Sequence, residues 1–165
     1  MFVDADIEQI CRIADEYSLD YIQLHGHESP AYIQELRSQL SQNRTQSIVN
    51  CQLSILKAFN IAEPADFEQT KAYEGVADLF LFDTKGKSVG GNGEKFNWDV
   101  LKAYKGETPF LLSGGIGSED AESFSIIHYP LSIHPKCIGI DLNSRFEIAP
   151  GLKDISKLKT FINSL

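Results

Sequence analysis

The chain is poor in several features that define large protein classes. Its 165 residues include three cysteines, Cys11, Cys51 and Cys137, which are odd in number and form no C-x-x-C pair. A disulfide framework or a zinc site is therefore not expected, and a reducing cytoplasmic location fits. No apolar run approaches the ~20 residues of a membrane span. The acidic start, with Asp4 and Asp6, is unlike a signal peptide.

Positive charge is also scarce. Fifteen Lys and Arg residues against 23 Asp and Glu residues give a formal net charge of −8 at pH 7. This balance argues against nucleic acid or an anionic membrane as the main partner, because both require a basic surface. A phosphorylated small molecule stays open as a partner, since backbone N–H groups bind phosphate without net positive charge. The length and the 42% hydrophobic content suit a single domain over residues 1–165.

Short apolar runs alternate with helical patterns along the chain. Uninterrupted apolar strands between helices are typical of a parallel sheet buried on both faces. Two closures remain open from periodicity: a doubly wound open sheet, which five strands complete, and a (β/α)₈ barrel, which five strands do not. The predicted strands are Asp20–Leu24, Ile55–Phe59, Leu79–Phe82, Phe110–Leu112 and Cys137–Ile140. The predicted helices are Asp4–Tyr17, one from Ser29-Pro30, Glu63–Tyr73, Trp98–Tyr104 capped by Asn97, one capped by Ser118, and a closing helix, Asp154–Leu165.

One segment combines a strand end, an acid and a glycine-rich loop. The sequence FLFDTKGKSVGGNGEKFNW brings Asp83 to the end of its strand, and Gly90, Gly91 and Gly93 follow. An acid at the carboxyl end of a strand can act as a general acid or base. The structural alternative is that Asp83 caps the next turn or pairs with Lys85 or Lys87.

Two further loops have the composition of a phosphate site. Ser113–Gly117 (SGGIG) joins a strand to a helix start, and Asp141–Ser144 (DLNS) follows the last strand. Glycines and small polar residues let backbone N–H groups converge on an anion. A tight turn and an Asx-turn are the structural alternatives.

The second strand-end candidate is the pair Gln23 and His25 in DYIQLHG. Strand alternation places both side chains on one side, where they could face the centre of a barrel. A satisfied structural histidine is the alternative. Lys57, inside ILKAF, requires a carboxylate partner or a ligand because the strand around it is apolar.

Together these segments resemble the phosphoribosylanthranilate isomerase family of tryptophan biosynthesis. The motifs QLHG, D-T…GG-x-G…F-x-W and D-x-N-S-x-x-E…PG-x-KD occur in order over nearly all of the chain. The resemblance favours the (β/α)₈ barrel. It implies an Amadori rearrangement of N-(5-phosphoribosyl)anthranilate to 1-(2-carboxyphenylamino)-1-deoxyribulose 5-phosphate, with no metal or organic cofactor.

The resemblance also implies roles for individual residues. It makes Asp83 the general acid, and Gln23 and His25 substrate-lining residues. It assigns phosphate binding to backbone and side-chain groups of two loops, with an aspartate close by. These residues are Gly114, Gly115, Asn143, Ser144 and Asp141.

The chain departs from the family pattern in two places. The family's first strand carries a Cys-Gly whose cysteine is the general base, and none of the three cysteines here is followed by glycine. The family's second strand leads into a loop with an arginine that helps hold the substrate, and this sequence has no counterpart of it. Met1 aligns with the family's third strand, so we expect an incomplete barrel of about five βα units, weakly stable and nearly inactive alone. Self-association or a complementing N-terminal fragment would then be expected. Arg145 stands where many relatives have glycine.

Two other functions remain as alternatives to the isomerase. A non-catalytic paralogue would keep the phosphate loops and bind a phosphorylated ligand without turnover. A flavodoxin-like open-sheet module would place its site where the strand order reverses.

Overall fold

The computed structural model describes residues 1–43, 53–84, 98–121 and 134–165. Five strands form one parallel sheet in sequential order, β1-β2-β3-β4-β5. They are β1 (Tyr21–Leu24), β2 (Ser54–Ile61), β3 (Leu79–Thr84), β4 (Phe110–Ser113) and β5 (Cys137–Ile140). A doubly wound sheet reverses its strand order at a switch point, and no reversal occurs among the strands of the described ranges. The open-sheet alternative is therefore wrong, and the order is that of a barrel wall.

The two faces of the sheet differ in what they bury. The outer face packs against the helices in two large apolar clusters, around Ile22 and Leu24 at one end and Phe80 and Phe82 at the other. The inner face carries a smaller apolar cluster formed by Leu56, Ala58 and Leu81, with Leu79 and Leu111 packed against it. Strict alternation along each strand separates the two sets, as parallel strands with two covered faces require.

Three α-helices are present among the described residues: α1 (Ile7–Glu16), α2 (Pro30–Asn43) and α3 (Ile155–Ile162). Helix α1 begins three residues later than predicted, and α2 continues to Asn43, through the start of the polar segment Ser41–Gln46 for which the sequence predicts a loop. The sequence predicts that α3 buries Ile155, Leu158, Phe161, Ile162 and Leu165. Phe161 is buried and Leu158 packs against the core, but the prediction is wrong for the other three residues, which are more than half exposed. Helix α3 packs one side on the turn that holds Phe146, which leaves its other side open.

Two predicted helices are 3₁₀ helices. They span Pro64–Tyr73 and Trp98–Ala103. The first begins where Asp66 accepts hydrogen bonds from the backbone N–H groups of Ala62 and Glu63, at 2.7 and 2.9 Å. A third, Ser118–Asp120, has Gly117 and not Ser118 as its N-cap.

Two short elements were not predicted. Phe2 forms a single parallel bridge to Leu24, so the Met1–Val3 stub lies alongside β1. An antiparallel hairpin pairs β6 (Glu147–Ala149) with β7 (Leu152–Lys153). No helix in the described ranges is long and apolar enough to cross a membrane.

Several predicted features lie outside the described residues. They are the loop glycines Gly90, Gly91 and Gly93, the lysines Lys85 and Lys87, the cap Asn97, Cys51 and the helix after Ala121.

Candidate active site at the carboxyl ends of the strands

Polar side chains collect at the carboxyl end of the inner face. Asp83 of β3 lies in register with Asn60 of β2 and Ser113 of β4. His25 and Asp141 directly follow the two outermost strands of the sheet, β1 and β5. Because register partners in parallel strands point to the same face, the three central side chains share the inner face. This edge therefore carries acid, amide, hydroxyl and imidazole groups above an apolar base.

The His25 ring lies between the side chains of Gln23 and Asp83. The Gln23 side-chain amide nitrogen lies 3.2 Å from His25 Nδ1. His25 Nε2 lies 4.0 Å from Asp83 Oδ2, and both side chains are mostly buried. An amide nitrogen can only donate, so Nδ1 accepts and the ring proton is assigned to Nε2, facing the carboxylate. Gln23 and His25 thus lie on the same face of the sheet, as the alternation along β1 predicted.

The loops after β4 and β5 contact each other. Ser113 Oγ donates to Asp141 Oδ2 at 2.9 Å. Gly114 and Gly115 both have positive φ, at 103° and 65°. Consecutive residues in such conformations turn the chain sharply and suit a backbone anion site, and side chains other than glycine rarely adopt them.

The loop after β5 continues into a 3₁₀ turn, Ser144–Phe146. Asn143 and Ser144 are exposed on it. The Asn143 side-chain oxygen accepts from Lys153 Nζ at 2.6 Å, and Lys153 also pairs with Glu147 at 2.7 Å. The hairpin β6–β7 thereby holds the loop that carries these two predicted phosphate ligands.

The described cysteines lie away from this edge. Cys11 is buried in α1, and Cys137 begins β5 at the opposite end of the sheet. Burial raises the pKa of the Cys11 thiol and raises that of Cys137 to about 11. Neither thiol is suited to proton abstraction near neutral pH. Within the described ranges, no cluster of three or more His, Cys, Asp or Glu residues could hold a metal ion.

Comparison with known proteins identifies the family. The N-(5'-phosphoribosyl)anthranilate (PRA) isomerase family matches residues 1–164. The chain belongs to this family. A relative named N-(5'-phosphoribosyl)anthranilate isomerase, from Parabacteroides distasonis, is 49% identical over 165 residues, which are all of this chain and 67% of the relative. The chain is accordingly an isomerase of tryptophan biosynthesis.

Solved structures of PRA isomerases have the same fold. The Thermotoga maritima enzyme matches with a TM-score of 0.70 and 26% identity, over 99% of this chain and 69% of the other. A second PRA isomerase structure, in complex with reduced 1-(o-carboxyphenylamino)-1-deoxyribulose 5-phosphate, gives a TM-score of 0.67 at 23% identity. It covers 99% of this chain and 68% of the other. The five-stranded sheet is therefore the arrangement found in PRA isomerase barrels.

Sequence reasoning missed three features of this PRA isomerase edge. Asn60 was not singled out, although it continues the alternation of Leu56 and Ala58 on the inner face. For Arg145 the sequence predicts only a departure from the family pattern, whereas its guanidinium pairs with Glu119 and joins the loops after β4 and β5. The carboxylate partner expected for Lys57 is Glu28, which no local pattern marked.

Proposed function

We propose that Asp83 is the general acid of the PRA isomerase reaction and that the loops after β4 and β5 bind the substrate phosphate. The observation that carries this proposal is the position of Asp83. Its carboxyl group lies at the carboxyl end of β3, on the inner face, 4.0 Å from His25 Nε2 and in register with Asn60 and Ser113. A ligand over this edge meets an acid flanked by hydrogen-bonding groups.

The acid opens the sugar ring. A protonated Asp83 donates its proton to the ring oxygen of N-(5-phosphoribosyl)anthranilate while the C1–O bond breaks, which leaves a C1=N iminium. Removal of the C2 proton by a base then gives the enolamine, and tautomerisation gives the C2 ketone. A positioned acid of this kind contributes about 10²- to 10⁴-fold in rate. Gln23 and His25 line the same edge and are proposed to contact the substrate.

The phosphate is proposed to lie between the loops Gly114–Gly115 and Asn143–Ser144. The positive φ angles of Gly114 and Gly115 support this, because they allow backbone N–H groups to approach an anion. Asp141 holds Ser113 and so fixes the first loop against the second. Its own carboxylate is proposed to support the loops, since like charge disfavours direct contact with phosphate.

A non-catalytic binding function is the second candidate. It is favoured by the places of Cys11 and Cys137, since no cysteine in the described ranges lies at the carboxyl ends of the strands. In this alternative the chain binds the same phosphorylated ligand and does not abstract the C2 proton.

The test uses the anthranilate fluorescence of the substrate, which is lost on turnover. The chain, Asp83→Asn and the matched control Asp15→Asn, an exposed residue of α1, are each assayed. Binding of reduced 1-(o-carboxyphenylamino)-1-deoxyribulose 5-phosphate is measured for all three by calorimetry.

We expect Asp83→Asn to abolish whatever turnover the chain has and Asp15→Asn to leave it intact, with the reduced analogue bound by all three. Equal turnover by Asp83→Asn would refute the role of Asp83. Binding of the analogue by the unmodified chain without turnover would establish the non-catalytic alternative. Absence of both binding and turnover would overturn the proposed site.

A further inference from the structure

A buried ion pair lies directly beneath the loop that carries His25. Lys57 Nζ and Glu28 Oε2 are 3.3 Å apart, and their side chains are 4% and 1% exposed. Two charges so far from water are stabilised only where further hydrogen bonds satisfy them. Neither group takes part in the proposed chemistry.

Both charged groups form hydrogen bonds with the backbone of Gly26. The Glu28 carboxylate accepts from the Gly26 N–H at 3.0 and 3.2 Å. Lys57 Nζ donates to the Gly26 carbonyl at 2.8 Å. The residue that follows His25 is therefore fixed on both of its peptide groups by one ion pair.

The same carboxylate also fixes the start of the chain. Glu28 Oε1 accepts from the backbone N–H of Asp4 at 2.9 Å. Asp4 has a φ of 47°, a conformation that costs energy for a residue other than glycine. An ideal Cβ on Gly26 would lie 2.6 Å from the Asp4 nitrogen, so the two segments are packed without room for a side chain.

His25 is consequently held from both sides. Its own N–H donates to the Phe2 carbonyl at 2.9 Å, from the segment that Glu28 anchors through Asp4. Its carbonyl side leads into the clamped Gly26. The imidazole then lies between the Gln23 amide and the Asp83 carboxylate.

We propose that Glu28 and Lys57 are positioning residues for the isomerase site. By clamping Gly26 they hold the His25 ring beside Asp83, at the position where the Gln23 amide fixes its Nε2-protonated tautomer. The inference rests on the proposed function for its catalytic meaning. Its structural content, the Nε2-protonated ring, is measurable without turnover.

The test is ¹⁵N NMR of the chain labelled at histidine, with the His25 signal assigned by the His25→Gln variant. In the unmodified chain we expect a protonated Nε2 and a bare Nδ1. Glu28→Gln should shift the signal towards a mixture of tautomers, because it removes the charge that pairs with Lys57 and leaves one acceptor oxygen in place of two, which weakens the Gly26 clamp. If turnover is present, its kcat should fall by about 100-fold with little change in KM, as expected for displacement of a reacting group.

The control is Glu74→Gln. Glu74 likewise fixes backbone through its carboxylate, which accepts four hydrogen bonds from Tyr104, Thr108 and Glu107, but none of its partners belongs to the site edge. It should lower stability and leave the His25 spectrum unchanged. If Glu28→Gln does not fold, the double variant Glu28→Gln/Lys57→Met serves instead, since it leaves no unpaired buried charge.

The His25 signal decides the outcome. An unchanged His25 tautomer in a folded Glu28→Gln or double variant would overturn the positioning role. A shifted tautomer with Glu74→Gln inert supports it. A shifted tautomer in a chain that neither binds nor turns over substrate would support the clamp and refute only the proposed function.

Discussion

Glu74 connects two segments at the end of the sheet away from the candidate active site, and its replacement gives the sharpest stability prediction. Its carboxylate accepts from Tyr104 Oη at 2.8 Å, from Thr108 Oγ1 and N–H at 2.7 and 3.0 Å, and from the Glu107 N–H at 3.2 Å. These bonds connect the end of the 3₁₀ helix Pro64–Tyr73 to the chain entering β4. Replacing Glu74 with glutamine keeps its shape and removes its charge.

The magnitude follows from the bonds that glutamine can keep. Tyr104 Oη also lies 2.8 Å from the Thr108 carbonyl and can direct its single proton there, so its oxygen can accept from a glutamine NH₂ without loss. The three other donors lose charge assistance, which is worth about 1 kcal/mol for each bond. We therefore expect Glu74→Gln to lower the free energy of unfolding by about 2–3 kcal/mol at pH 7. Glu74→Ala should cost about 3–5 kcal/mol, because buried donors are left unpaired.

The loss should depend on pH. Burial acts to raise the pKa of the Glu74 carboxyl, but hydrogen bonds from Thr108, Tyr104 and the backbone outweigh it and hold the pKa below its ordinary value. A carboxyl whose pKa is lowered on folding stabilises the protein fully above its unfolded pKa, about 4.3 for glutamate. That stabilisation is lost as the pH falls through the folded pKa. The difference between the two proteins should thus shrink below about pH 4.

Urea unfolding followed by far-ultraviolet circular dichroism at pH 7 and at pH 3 measures this. The matched control is Glu68→Gln on the same 3₁₀ helix, where an exposed pair with Lys71 predicts a change within about 0.5 kcal/mol. A Glu74→Gln loss no larger than that of the control, or equal at both pH values, would refute the reasoning.

Three further predictions concern the core, a helix cap and a thiol. Phe82→Ala should lower the free energy of unfolding by about 3–5 kcal/mol in urea titrations, because its fully buried ring lies 4.5 Å from that of Phe110. Asp154→Ala should cost about 1 kcal/mol in the same assay, since its carboxylate caps α3 by accepting from the Lys157 N–H at 2.9 Å. Cys137 should resist alkylation at pH 7 in mass spectrometry until the chain unfolds, because burial raises its pKa to about 11. Rapid native labelling would contradict that.

The order of helices and strands along the chain could be predicted from the sequence. Each predicted strand has its counterpart, and Cys137–Ile140 matches to the residue. A strand buried on both faces is apolar along its whole length, so an apolar run bounded by turn residues identifies it from the local sequence alone. Period-two alternation likewise predicted that Gln23 and His25 share a face. The strand-end placement of Asp83 follows from the same reasoning.

Features that depend on contacts between distant parts of the chain could not be predicted in this way. Whether Pro64–Tyr73 winds as an α-helix or a 3₁₀ helix, and which side of α3 is covered, depends on neighbours distant in the chain. The choice between an open sheet and a barrel wall needed the strand order.

The electrostatic arrangement of the site was also decided only by tertiary structure. The position of Lys57 in an apolar strand predicted that it has a partner, because burying an unpaired charge is unfavourable. The sequence did not reveal that Glu28, 29 positions earlier, supplies the charge, or that both clamp Gly26. Local pattern determines which groups must be satisfied, because propensity and burial act on near neighbours. Only the folded chain decides which groups satisfy them, because that depends on where distant segments meet.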